Sequence, residues 1–281
     1  MAKGEMTDAL SFCAKEVRQH DWDRFIFTLF APGKVRDDLF TFLAFNSELA
    51  RTREMVREPL MGEIRLKWWQ DAIDGIYDGT LDIVQGHYVL ENLPRVIREH
   101  RLTKGLINQL IDARSADLFD QPPKDERVLV KYALGTSAAL NLLLLEILGA
   151  KEVLYDKASN LGIAWALTGL MRALPRLAEQ GRSPLPLTLI TTERNLEEFN
   201  DEVRQAVRSV CILAEEYFAK SQTSNVQVEV SHRPVFLSSI LTSHYLKQLA
   251  KSGYNPFLQN NKRGRIVNQL KVGIGALLGR Y

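Results

Sequence analysis

Leu161-Gly162-Ile163-Ala164-Trp165-Ala166-Leu167-Thr168-Gly169-Leu170-Met171-Arg172 is the stretch on which the fold turns. From Leu161 to Met171 it runs 11 residues without a charge, then meets a cation. A membrane-spanning helix needs about 20 apolar residues, so this run reads as an interior helix of a protein core. Its helical pattern extends over roughly 153 to 178. Near the end of that range stands Pro175, whose missing amide donor is expected to kink the helix. Beyond it the breaker-rich run Gly181 to Pro186 closes the segment.

The same period recurs outward in both directions. Leu39, Phe42, Leu43, Phe45 and Leu49 fall at three- and four-residue steps, as do Ile64, Trp68, Trp69, Ile73, Ile76 and Tyr77. Further helical patterns cover roughly 84–99, 103–120, 125–148, 196–221, 233–251 and 265–279. Pro32-Gly33, Glu58-Pro59, Pro122-Pro123 and Gly149 punctuate the gaps between them. One stretch alternates, Val226-Gln227-Val228-Glu229-Val230. With no second strand to satisfy its backbone it reads as an extended linker. No Gly/Ser-rich linker, repeat or low-complexity tract divides the chain, so residues 1–281 are expected to form one all-α helical bundle. Trp22, Trp68, Trp69 and Trp165 are expected in its core or lining a pocket.

Charge is distributed less evenly than the formal net value of +2 suggests. The last acidic residue is Glu229, and eight basic residues follow it, so residues 230–281 carry +8 and residues 1–229 carry −6. Two cysteines, Cys13 and Cys211, make neither a disulfide framework nor a four-cysteine metal site. The N-terminal stretch alternates acids and bases without an apolar core, unlike a signal or transit peptide. A cytoplasmic protein, or one peripheral on a membrane, is expected.

Several chemistries lack their residues. The chain has no G-x-x-x-x-G-K-[ST] and no G-x-G-x-x-G, and Gly273-Ile274-Gly275 lacks the context that would make a nucleotide site. Its five histidines are dispersed, without H-E-x-x-H, and there is no G-x-S-x-G elbow. No nucleic-acid partner and no histidine-held metal are expected. Asp112, Asp117 and Asp120 with Arg114, and Asp71, Asp74 and Asp78 with Lys67, read as solvated helix faces carrying charge pairs.

The opening stretch, taken with Gly181-Arg182 and Pro184-Leu185-Pro186, resembles L-G-x-A-x-Q-L-T-N-I-L-R-D-x-x-x-D…G-R-x-Y-L-P of the squalene and phytoene synthases. Leu43-Ala44-Phe45-Asn46 resembles the Y-A-F-C that opens their first aspartate-rich helix. The resemblance implies an isoprenoid-synthase-type fold, in which two facing helices hold Mg²⁺ against isoprenyl diphosphates through aspartates four residues apart. Such spacing puts both carboxylates on one helix face.

The carboxylates themselves are largely absent. Where the first motif reads D-D-x-x-D this chain has Ala50-Arg51-Thr52-Arg53-Glu54, and the family's upstream phosphate-contacting arginine aligns with Ser47. Where the second reads D-x-x-x-D it has Ala173-Leu174-Pro175-Arg176-Leu177, with Gly169 at the preceding asparagine and Arg172 retained. Mg²⁺ would be left with almost no protein oxygen ligands. No catalytic residue and no cofactor is therefore assigned; Mg²⁺ enters only under the alternative of a head-to-head prenyltransferase.

A narrower resemblance accounts for the losses. Leu43 to Ala50, Met61-Gly62-Glu63-Ile64-Arg65-Leu66-Lys67-Trp68-Trp69 and Leu170 to Pro175 look like the A-F-N-x-E-L-A, G-x-x-R-x-x-[FW]-W and L-R-A-x-P of the synthase-like branch that assists assembly of respiratory complex I, the complex I assembly factor 6 branch. The resemblance covers most of residues 15 to 275. It implies a pseudoenzyme with complex I subunits or assembly intermediates as partners. The absence of a presequence implies a bacterial member, cytoplasmic or on the cytoplasmic face of the inner membrane.

Under that resemblance Asn46, Glu48, Arg51, Glu54 and Arg172 would line the former diphosphate mouth. Two roles stay open for its arginines. Arg51, Arg53, Arg172 and Arg176 either bind an anion, such as an isoprenoid or phospholipid phosphate, or pair with Glu48 and Glu54. Phe25, Phe42, Phe45, Trp165 and Leu167 either line or fill the family's apolar cavity. Residues 262–281 form a basic amphipathic C-terminal helix, with Lys262, Arg263, Arg265 and Lys271 beside an apolar face of Ile266, Val267, Leu270, Ile274, Leu277 and Leu278. That face either docks on a membrane or partner or closes the core.

Overall fold

The computed structural model describes residues 10–190, 199–223, 226–258 and 264–279. Polar side chains start its first helices. Ser11 Oγ accepts from the Ala14 amide at 3.2 Å to begin α1 (Phe12–His20), and Asp21 accepts from the Arg24 amide at 3.2 Å to begin α2 (Trp22–Thr28). Neither helix shows in the apolar periodicity, because at nine and seven residues each is too short for a recurring apolar stripe. There follow α3 (Gly33–Ala50), α4 (Thr52–Met55), α5 (Pro59–Asp78), α6 (Leu93–His100) and α7 (Lys104–Ala113). The pattern over 84–99 yields helix only from Leu93, since Gly86 takes a left-handed φ of 82° and Pro94 favours a helix start there. The pattern over 103–120 breaks after Ala113 into a 3-10 turn, Arg114–Asp117.

Next come α8 (Glu126–Ala133) and α9 (Ala139–Ile147), joined without interruption by a π turn at Leu134–Ala138. By length and composition this continuous helix is apolar enough to cross a membrane, yet 67% of its apolar window is buried inside the protein, as for a core helix. The opening stretch lies in α10 (Tyr155–Ala178), the longest described helix. α10 continues through Pro175 to Ala178, as the pattern over 153–178 predicts. With Pro175 in the last turn, a single internal donor is forfeited, and the Glu179 amide closes the end on Pro175 O at 3.1 Å. The chain finishes with α11 (Asp201–Thr223), α12 (Arg233–Phe236), α13 (Ser238–Lys251) and α14 (Gly264–Leu278). No strand occurs among the described residues. Residues 226–229 carry no helix, and Glu229 is extended at φ −63°, ψ 154°, in keeping with a linker.

α10 is common to two apolar clusters. Its Ala158 and Leu161 belong to a core built with α1, α3, α6, α7 and α9 around Phe40, Phe42, Phe45 and Trp69. One turn on, Ile163, Leu167, Met171 and Leu174 enter a second core with α11 and α13. Between them sits Gly162, against the π turn. A Cβ placed there would stand 2.6 Å from Ala138 Cα and 2.8 Å from Ser137 O, so only glycine admits this backbone approach. Asn141 Nδ2 stitches the same contact by donating to Ala158 O at 3.0 Å. Cys13 and Cys211 are both free and buried.

Candidate functional site

The mouth between α3–α4 and α10 is where the five expected site residues should meet. The fold disperses them. Glu48 is buried and turned towards α5, held by Arg65 and by the hydroxyl of Tyr88. Asn46 lies two residues earlier and therefore about 200° away around the helix. Its Oδ1 faces Arg114 Nη2 at 3.5 Å. Arg51 Nη1 stands 4.0 Å from Glu16, and Glu54 accepts from Arg176 Nη1 at 3.0 Å. Arg172 sits over the Tyr245 ring, its guanidinium carbon 3.4 Å from the centroid.

Beside Asn46 lies a polar network of Arg114, Asp117 and Tyr132. Arg114 and Asp117 open and close the 3-10 turn after α7, so three-residue spacing stacks their side chains. Arg114 Nη1 donates to Asp117 at 3.2 Å and stands 3.1 Å from the Tyr132 hydroxyl, which in turn donates to Asp117 at 2.9 Å. Burial, then the neighbouring Asp117 charge, pushes the Tyr132 phenol well above its ordinary range, so it stays a donor. Arg182 donates to Asp117 O at 3.1 Å and reaches Asp120 at 3.4 Å, while Arg53 meets Asp120 at 3.0 Å. Asp117 and Asp120 are thus tied to three arginines: Arg114 pairs with Asp117 at the expected three-residue spacing, and Asp120 stays exposed. Arg182 was present in the Gly181-Arg182 pair quoted above; Tyr132 left no sequence signal, being one aromatic on an amphipathic helix.

Arg172 belongs to a second cluster, with α2, α13 and α14. The Tyr245 hydroxyl donates to Asp23 at 3.3 Å and accepts from Asn268 Nδ2 at 2.9 Å. Burial and then Asp21 raise the Asp23 carboxyl above its usual range, while burial and then Asp23 push the Tyr245 phenol up to about 12. Trp165 continues the cluster, edge-on to Phe27 at 6.0 Å.

Three of the four mouth arginines, Arg51, Arg53 and Arg176, therefore face carboxylates, while Arg172 stacks on an aromatic ring. The aromatic side chains expected to line or fill the cavity are packed: Phe42 and Phe45 are fully buried at 5.5 Å, and Phe45 meets Trp69 at 5.0 Å. A cleft lined by Arg24, Phe27, Leu39, Leu43, Leu144 and Val235 encloses about 20 Å³, room for about one water.

The donor set does not fit Mg²⁺, which demands several oxygens in near-octahedral array. The former aspartate positions hold Ala50, Arg51, Ala173 and Leu177, and the remaining carboxylate, Glu54, is engaged by Arg176. Elsewhere Asp38, Glu99 and His100 bring ligand atoms within 4.8 Å of one another. Arg95 already pairs with both of those carboxylates, so the group reads as an ion-pair network. Among the C-terminal cations, Lys262 and Arg263 lie outside the described residues, Arg265 falls in the first turn of α14, and Lys271 Nζ rests 2.7 Å from His244 Nδ1.

Comparison with known proteins agrees with this geometry. A family model described as squalene/phytoene synthase matches residues 17–268. The NADH dehydrogenase (ubiquinone) complex I, assembly factor 6 of Bos taurus is 28% identical over 277 residues, covering 96% of this chain and 82% of that protein. Its Homo sapiens counterpart is 26% identical over 253 residues, covering 88% and 75%. Among solved structures, a dehydrosqualene synthase superposes with a TM-score of 0.81 at 15% identity, covering 96% of both chains. A squalene synthase from Alicyclobacillus acidocaldarius does so with 0.75 at 18%, covering 87% of this chain and 94% of that one. At such identities the structural likeness speaks for the fold alone.

Proposed function

The chain belongs to the squalene/phytoene synthase family, and from that premise we propose that it acts in the assembly of respiratory complex I, NADH:ubiquinone oxidoreductase, without performing prenyl transfer. One observation carries the reading. Where the enzymes of this fold would hold metal between two helices, Glu54 of α4 and Arg176 of α10 form an ion pair, and the flanking positions Ala50, Ala173 and Leu177 offer no oxygen ligand. A departing diphosphate carries about three negative charges, and stabilising it electrostatically supplies several kcal/mol of the rate enhancement. Arg51, Arg53 and Arg176 are drawn to carboxylates, and Asn46 faces Arg114 of the Arg114–Asp117–Tyr132 network. Similarity to the assembly factors along nearly the whole chain supports the same reading.

Its partners are then complex I subunits or assembly intermediates, which it meets through its surface rather than through a reacting cavity. Its place is the cytoplasmic side of the inner membrane, free or peripheral. Deleting the gene and measuring assembled complex I by native electrophoresis tests the role: a lowered level is expected, restored by the wild-type chain and by folded Glu54→Ala and Arg172→Ala variants. An unchanged level ends the assembly reading. Product from farnesyl or geranylgeranyl diphosphate with Mg²⁺ ends the non-catalytic one and restores the prenyltransferase alternative.

A further inference from the structure

α14 has two apolar sides. Val272 and Ala276 are buried against Phe27, Leu241 and Tyr245, so the helix does close a small core, as one reading of the sequence had it. Arg233 Nη1 fastens its last turn by donating to Ala276 O at 3.2 Å, and Gly279 ends it with a left-handed φ of 63°. On the far side Val267, Leu270, Ile274, Leu277 and Leu278 face outward, Leu277 83% exposed and Leu270 61%. At 3.6 residues per turn these five fall within about 100° of the helix circumference. A rigidly seated helix thus presents a continuous apolar stripe to its surroundings, more than the scattered exposed leucines of an ordinary surface.

Three cations gather near the stripe. Lys271 borders it, and Lys247 and Lys251 of α13 lie exposed close enough to act on Lys271 and His244. Burial first, then those two lysines, lowers Lys271 from its ordinary value, and burial followed by Lys271 lowers His244. No acidic residue follows Glu229 to balance them. α5 makes the contrast. Its exposed Leu60, Met61, Ile64 and Trp68 sit among Glu63, Asp71 and Lys67, both signs together, with Lys67 paired to Asp71 at 2.7 Å. An apolar stripe with Lys271 at its border and Lys247 and Lys251 nearby matches the surface of an anionic bilayer, where acyl chains lie beneath negative headgroups.

We propose that the outward face of α14 is a docking surface for an anionic phospholipid bilayer, Val267, Leu270, Ile274, Leu277 and Leu278 entering the acyl boundary while Lys247, Lys251 and Lys271 meet the headgroup phosphates. The proposal rests on the peripheral placement given above and names the surface responsible. The full chain is to be floated with vesicles of phosphatidylcholine alone and of phosphatidylcholine with phosphatidylglycerol. The wild type is expected to float with the anionic vesicles and to remain behind with the neutral ones. Leu270→Glu with Ile274→Glu, both on the exposed side, is expected to weaken partition by at least about tenfold, as is Lys247→Glu with Lys251→Glu at about 1 kcal/mol per cation. Circular dichroism melts unchanged from wild type keep each loss attributable to the surface.

Equal flotation of wild type and both variants overturns the assignment to α14 but leaves peripheral placement standing. Recovery of the protein in cell membranes, without flotation of the pure chain on anionic vesicles, overturns lipid docking in favour of a protein anchor. A dimer in solution that Leu270→Glu dissolves overturns it in favour of a second copy. Absence from cell membranes together with no flotation removes the placement and the surface together.

Discussion

Single residues set the tolerances of this molecule. Gly162 faces backbone at 2.6 Å, where no side-chain rotation can relieve an added methyl. Gly162→Ala is expected to cost about 1–3 kcal/mol despite alanine's better helix propensity, and to lower the melting temperature by several degrees. A melt at or above wild type contradicts the contact. Asp38 behaves differently. Burial alone would raise its carboxyl, but Arg95 and His100 hold it below the ordinary carboxylate value. A depressed folded value contributes stability above the unfolded value of about 3.8, lost as pH falls through the lower folded one. Asp38→Asn is therefore expected to lose about 1–3 kcal/mol at pH 7 and to show a shallower stability decline below pH ~4, measured by urea unfolding across pH. Residue-scale reading of the mouth was partial. The substitutions Ala50, Arg51, Ala173 and Leu177 were plain in the sequence, whereas the turning of Glu48 towards Arg65 and Tyr88 was not, because partners 17 and 40 residues away leave no local pattern.

Elements follow their periodicity where one face is apolar and depart from it where caps decide. α3, α5, α10, α11 and α13 stand where the three- and four-residue spacing placed them, their starts differing by up to six residues. α1 and α2, capped by Ser11 and Asp21, each bury too few apolar residues over nine and seven positions to give a periodic signal. Pro175 lies in the last turn of α10, where it removes one bond, and the helix runs on to Ala178, the end that the spacing predicts. The link between α4 and α10 is correspondingly light. Glu54 and Arg176 are half exposed, so reversing the pair as Glu54→Arg with Arg176→Glu is expected to shift stability by no more than about 1 kcal/mol. A chemical-denaturation shift well beyond that indicates a bond buried by something other than these two side chains.

At the scale of the whole molecule α10 is the shared wall of both large cores, so neither closes without it. Calorimetry is expected to show one heat transition; two resolved peaks mean that the halves fold apart. The overall architecture was legible because α10 itself carries the family pattern, and the two-core arrangement was not, because periodicity marks an apolar face without naming what covers it. The continuous helix Glu126–Ile147 adds a demand on timing. On the ribosome it is complete before α10, which covers its π turn through Gly162, has been made. At about 5–20 residues per second the interval is on the order of a few seconds. During it the nascent chain carries the apolar length of a membrane span covered by the earlier helices α3, α6 and α7 but not yet by α10, and that side is open to insertion machinery and chaperones as it is not in the finished protein.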